Sequence, residues 1–198
     1  MTDYLSCELK YNEDKSKAWN GQPHSIKKLE KKFKHLTKRK SCMKTPGTPG
    51  IKSLKPENDE ECLSDELQTE YRSGTGMLLY LVKHSRPDIS NAVRELTKCM
   101  DKACMRSYKE MERVIRFVLS TKKFGLKVEP HMNKEVKEWD LMVFTDSDWG
   151  GDKETRISVT GFIIFLMGVP IHWGSKGQRS VAISSSEAEF YALSEAAK

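Results

Sequence analysis

The sequence predicts an α+β protein: a helical region, then a three-stranded antiparallel sheet, then one more helix. Three observations carry that prediction. Apolar residues recur at helical spacing between Tyr71 and Thr121. From Trp139 the spacing shortens to near two, the period of a strand. The strands so marked are joined by links of hairpin length, which join antiparallel rather than parallel neighbours.

Taken in order, Tyr4 to Tyr11 alternates weakly and reads as a strand, and Asn20-Gly21 is a hairpin signal. Ser25 to Lys40 sets Ile26, Leu29, Phe33 and Leu36 at helical spacing among lysines, an amphipathic helix with a basic outer face. Residues 1–45 form the first segment. Two Pro-Gly pairs, Pro46-Gly47 and Pro49-Gly50, forbid regular structure, and an acidic run follows, so 46–70 reads as a linker of low order. Tyr71 to Lys83 reads as a buried helix. Ser85 is placed to cap the next one, with Pro87 in its first turn and Asp88 closing a capping box. Ile89, Ala92, Val93, Leu96 and Met100 form its stripe. Ser107 to Thr121 is a third helix with Lys109, Arg113 and Arg116 outward, completing a helical region over 71–130. In 131–198, Leu141 to Asp146, Ser158 to Leu166 and Val169 to Trp173 are strands. Val181 to Ile183 is a short extended piece, and a helix runs from Ser184 to the end.

Composition excludes several classes. The longest apolar run, Phe162 to Val169, is far below the ~20 residues of a membrane helix, and the opening residues have no secretory-signal character. The five cysteines include no C-x-x-C pair, so they read as reduced thiols of an intracellular protein rather than a disulfide or zinc framework. The net charge of +6 is uneven: residues 1–57 carry 14 Lys and Arg against six Asp and Glu, whereas 58–70 carry six acids and no base. Such a basic lobe suits a polyanion, nucleic acid above all, or is simply a solvated surface.

Two acidic positions stand out. Asp146 and Asp148 share one side of a strand that is otherwise apolar, and an acid there is costly unless a cation satisfies it; the alternative is that Asp148 starts a turn with Gly150-Gly151 and Asp146 is its neighbour. Glu187 falls three residues after Ser184 and has a capping role. Glu189 has none. It shares its helix face with Ala192, Leu193 and Ala196, so it points toward the core, and no base of its own helix reaches it before Lys198. A strand Asp and a helix Glu together suit a divalent cation such as Mg²⁺, which takes few carboxylates plus phosphate oxygens.

The segments YRSGTGMLLYLVKHSRPDISNAVREL, VIRFVLSTKKFGLKVEP, VFTDSDWGGDKETRISVTGFIIFLMGVPIHWGSK and SVAISSSEAEFYALSEAAK resemble the Pol polyprotein of copia-type LTR retrotransposons. The matching region is the end of the reverse transcriptase and the first half of its ribonuclease H domain. The resemblance implies a strand ending the polymerase palm at DYLSCELKYN, a thumb-like basic helix, and a truncated ribonuclease H-like domain over 131–198. It implies that Asp146 and Glu189 are catalytic and hold Mg²⁺ or Mn²⁺, with Asp148 a further candidate ligand. Lys27, Lys28, Lys31, Lys32, Arg113, Arg116, Arg179 and Ser186 are candidate nucleic-acid contacts. The implied partners are an RNA–DNA hybrid or other nucleic acid and the rest of the Pol polyprotein, with no membrane. The implied location is a cytoplasmic virus-like particle or the nucleus. The family's later ribonuclease H aspartates and its polymerase aspartates have no counterpart among these residues. The expectation is therefore a polyprotein fragment incomplete for both activities. The alternatives are a non-catalytic nucleic-acid-binding remnant or a decayed pseudogene product.

Overall fold

The computed structural model describes residues 2–4, 6–38, 43–49, 54–56, 61–131, 138–152 and 155–198. Cys42, Asp59 and Glu60 lie outside them. The chain divides into two compact units, one built from residues 1–8 and 21–125, the other from 9–20 and 126–198. The architecture is the predicted mixture of helices and antiparallel sheet.

The chain opens with β1 (Thr2–Tyr4) and β2 (Cys7–Tyr11), two strands where the sequence reads as one. Ser6 between them has φ +59, a left-handed turn that interrupts the extended run. The hairpin that follows turns at Asn12–Lys17, not at Asn20-Gly21. Asn12 Oδ1 accepts from the Lys17 amide at 2.9 Å, and Lys15 takes the positive φ of 58. Asn20 and Gly21 lie inside β3 (Ala18–Gly21). β3 pairs antiparallel with β4 (Leu126–Val128), a strand too short for its alternation to register in the sequence.

The first unit is helical. α1 (Pro23–Lys32) starts with Pro23 in its first turn and ends with Lys31 and Lys32 in its last, where cations favour the helix dipole. A 3₁₀ turn, Lys34–Lys38, follows. Ile26, Leu29, Phe33 and Leu36 are all buried, as their spacing predicts. α2 (Asp65–His84) begins six residues before the predicted Tyr71, so the end of the expected linker is helix. Ser64 caps it, and Asp65 and Glu66 sit in the first turn, where acids suit the dipole. α2 is amphipathic rather than wholly buried: Leu78 and Leu81 are inside while Leu79 and Tyr80 are exposed. Gly74 lies inside, and a Cβ there would stand 2.5 Å from Met111 Sδ and 2.9 Å from Phe33 Cζ. Only glycine lets these side chains approach so closely.

Ser85 is not a cap. It is buried and donates through Oγ to Gln22 Oε1 at 2.7 Å. Asp88 likewise accepts from Arg86 instead of closing a capping box. A 3₁₀ turn (Pro87–Ile89) leads into α3 (Ser90–Thr97), and α4 (Met105–Ser120) follows. The segment 43–49, which straddles the start of the predicted linker at 46, is held against α4. Thr48 donates to both oxygens of Glu110, at 2.6 Å from its amide and 2.8 Å from its hydroxyl. α1 to α4 enclose one apolar core centred on Leu29, Phe33, Tyr71, Leu78, Met111 and Ile115.

The second unit contains the predicted three-stranded sheet. β5 (Leu141–Asp148), β6 (Val159–Leu166) and β7 (Val169–Gly177) lie in that order, all antiparallel, with β5 at the edge. Met167 and Gly168, both at positive φ, make the β6–β7 turn. β7 runs four residues past the predicted Trp173, and Val181–Ile183 is not a strand. α5 (Ser185–Ala196) packs on β5 and β6 through Ala188, Ala192 and Ala196.

Candidate functional site

The end of β5 and the first turns of α5 form the site that the acidic residues mark. Register fixes the strand: Asp146 lies opposite Gly161, Ser147 opposite Thr160 and Asp148 opposite Val159. Alternation then gives the strand two unlike faces. Thr145 and Ser147 are half-buried, and Thr160 opposite Ser147 is fully buried. Met142, Phe144, Asp146 and Asp148 form the other face and are all exposed. Asp146 and Asp148 therefore share a side, as predicted. Water reaches them, so the burial cost expected for an acid on this strand does not arise.

α5 is set by its cap. Ser184 Oγ accepts from the Glu187 amide at 3.1 Å, and Glu187 reaches back to the Ile183 amide at 2.7 Å. The acid thus satisfies the residue before the cap rather than the cap itself. One turn on, Glu189 Oε1 accepts from Ser147 twice, at 2.9 Å from the hydroxyl and 3.3 Å from the amide. Sequence reasoning put Glu189 on the core face and gave it no partner in its own helix. The buried face is in fact Ala188, Ala192 and Ala196. Glu189 and Leu193 are exposed beside it, and the partner is a serine of β5. Because the Ser147 amide donates to α5, it points away from β6, and Glu189 sits at the outer edge of the strand. Glu189 is therefore bound to Ser147, the residue that follows Asp146 in β5, while Asp146 leaves the strand on the face α5 does not cover. Among the described residues, Asp146 and Asp148 form no ion pair, and no group of three or more His, Cys, Asp or Glu stands close enough to hold a metal.

Around these acids the unit is braced by neutral hydrogen bonds. Trp149 Nε1 donates to the Ala182 carbonyl at 3.1 Å, closing the loop before α5 onto the end of β5. Gln178 Nε2 donates to the Ala188 carbonyl at 2.8 Å and to Thr160 Oγ1 at 3.2 Å, tying β7, β6 and α5 together. Lys176 pairs with Glu195. Arg179 and Ser186 are exposed at the same end of the unit. The roles of Trp149 and Gln178 escaped the sequence reading, since neither shows a periodic or acidic signal.

The predicted basic contacts fall in the first unit and divide in two. Lys27, Lys28, Lys31 and Lys32 all lie exposed on α1. Lys28 lines an open groove of about 390 Å³ with Ser6, Ser25, Ser73, Gly76 and Tyr80, and Lys32 donates to Ser73 beside it. Arg113 and Arg116 are engaged within the unit, Arg113 with Thr45 at 3.0 Å and Arg116 with Glu112 at 3.1 Å.

No family model and no solved structure matches the chain. Several curated proteins do. One is named secreted RxLR effector protein 161, from Plasmopara viticola, 37% identical over 126 residues, covering 64% of this chain and 85% of that protein. The retrovirus-related Pol polyprotein from transposon RE1 of Arabidopsis thaliana is 37% identical over 122 residues, 62% of this chain and 8% of the polyprotein. The one from transposon TNT 1-94 of Nicotiana tabacum is 28% identical over 189 residues, 92% of this chain and 13% of the polyprotein. The chain thus spans a small part of the length of the Pol polyproteins it matches.

Proposed function

The chain belongs to the family of retrovirus-related Pol polyproteins of copia-type transposons, and from that premise we propose that its second unit carries half of a ribonuclease H-type site. In this reading Asp146 and Glu189 hold a divalent cation, Asp148 is an accessory carboxylate, and the substrate is the RNA strand of an RNA–DNA hybrid. The observation that carries the reading is the double hydrogen bond from Ser147, which fastens the Glu189 carboxylate to the strand beside Asp146.

The donor chemistry, two exposed carboxylates on β5 and α5, suits Mg²⁺ or Mn²⁺ in kind, with further ligands supplied from outside the described residues. Both carboxylates are exposed, Glu189 keeps Oε2 free of Ser147, and no described base neutralises Asp146. A hard cation of this kind takes one or two carboxylates and fills its other positions with water and phosphate oxygens. Held by Asp146 and Glu189, such an ion would supply activation of a water toward a phosphodiester. The chain's own part is positional. Ser147 restrains the Glu189 rotamer, the Ala188–Ala192–Ala196 stripe fixes the height of α5 on the sheet, and Trp149 closes the loop that carries the cap. In the first unit, the exposed lysines of α1 attract the phosphate backbone. The rest of the polyprotein is the expected partner.

The test is Mg²⁺-dependent cleavage of an RNA–DNA hybrid by the chain set within a transposon Pol polyprotein. Asp146→Asn and Glu189→Gln are each expected to lower the cleavage rate about 100-fold or more. Cleavage that survives Asp146→Asn overturns the assignment. A second reading, a binding module without cleavage, draws on the exposed lysines of α1 and on the absence, among the described residues, of three acids close enough together to hold one metal ion. It expects hybrid binding that weakens steeply with salt and is unchanged by Asp146→Asn.

A further inference from the structure

We propose that Cys62 and Cys104 are a disulfide-forming pair, a site of reversible oxidation by a small-molecule disulfide such as oxidised glutathione. Nothing in the sequence suggests it, since 41 residues separate the two cysteines. The backbone does. Cys62 and Cys104 are partners in an isolated antiparallel bridge, where the segment entering α2 runs against the segment entering α4. The Leu63 amide donates to the Ala103 carbonyl at 2.9 Å, and the Cys104 amide donates to Ser107 Oγ instead of to Cys62. The two cysteines therefore face each other at the non-hydrogen-bonded position of the bridge. Opposed Cα atoms there are about 4.5 Å apart, with side chains on the same side. That spacing falls within the range a disulfide spans.

Exposure assigns the order of events. Cys62 is exposed and Cys104 fully buried. The Cys62 thiolate attacks a sulfur of oxidised glutathione, forming a mixed disulfide and expelling one glutathione thiolate. The Cys104 thiolate then attacks the Cys62 sulfur and expels the second. Two protein thiols become one disulfide, one oxidised glutathione becomes two reduced ones, and the two protons pass to the departing thiolates. Cys99 is the competitor nearest Cys104. Burial, with Cys104 beside it, pushes its thiol up to about 11, which keeps it protonated and inert. The product pins the start of α2 to the cap of α4 and closes a long loop of the helical unit.

The full chain, incubated with oxidised glutathione and alkylated, is mapped by mass spectrometry without reduction. The expected result is a peptide pair linked through Cys62 and Cys104, with free thiols falling from five to three and returning on treatment with dithiothreitol. Oxidation is expected to raise the melting temperature by about 5 °C or more, as a closed loop of this length implies. Cys99→Ser forms the same pair, while Cys62→Ser, a change at an exposed position, forms none. A glutathione adduct that persists on Cys62 with Cys104 still free, or a link from Cys104 to Cys99, overturns the proposal.

Discussion

Arg86 is a charge held almost wholly inside the first unit, with 1% of its surface exposed. Its guanidinium forks onto both oxygens of Asp88 at 2.8 Å and reaches Thr121 Oγ1 at 2.8 Å. It lies over the rings of Phe117 and Phe124, 5.7 and 5.6 Å from their centres. A planar fork serves these partners together where an ammonium cannot. Arg86→Lys is therefore expected to destabilise the unit by about 2–3 kcal/mol, read from urea unfolding. A loss within experimental error would mean the stacking and the fork contribute little. The sequence reading saw Arg86 only as part of a helix start, because Thr121 is 35 residues away and no local pattern joins them. Glu189 is the converse case. Its lack of a structural job in its own helix was legible from spacing, whereas its actual partner, Ser147, required the packing of α5 on β5.

At the scale of elements, the β2–β3 hairpin and β4 illustrate how short pieces depend on each other. Lys17, from the hairpin turn, and Lys127, from β4, both pair with Glu129. The hydrogen bonds from Lys127 and then Lys17 push the Glu129 carboxyl down from 4.5 to about 2. A depressed carboxyl adds stability above its ordinary value and loses it as protons bind. The contribution is thus present above about pH 4.5 and disappears as pH falls toward 2. Because both lysines are exposed and the carboxylate is only partly covered, the effect on stability is small and shrinks with salt. Following the Glu129 side chain by NMR checks this: Lys17→Ala is expected to move its titration upward, and an unmoved midpoint would refute the pairing. Elements of three to five residues such as β1, β2 and β4 carry too few alternations to be read with sound boundaries. The long helices α2 and α4 repeat their apolar spacing over several turns and were read closely, apart from the start of α2.

At the scale of the molecule the two units differ in what they bury. The first has a full apolar core, whereas among the described residues of the second the buried apolar ones are alanines: Ala182, Ala188, Ala192 and Ala196. Leu141, Met142, Val143 and Phe144 are exposed along β5, Phe144 by 55%, and among the described residues no strand pairs with the outer edge of β5. An apolar strand with an open edge recruits other chains. Concentration-dependent self-association in sedimentation velocity is expected, and Val143→Lys is expected to reduce it; a monomer at all concentrations would contradict this. The sequence by itself determined the fold class, the core stripes of α1 to α4, the three strands β5 to β7, and the family, because periodicity and motif order are properties of the chain alone. Only the tertiary structure decided which residue receives Glu189, how Arg86 is satisfied and which two cysteines face each other. Hydrogen bonds and side-chain contacts between residues tens of positions apart are fixed by packing, and spacing along the chain carries no trace of them.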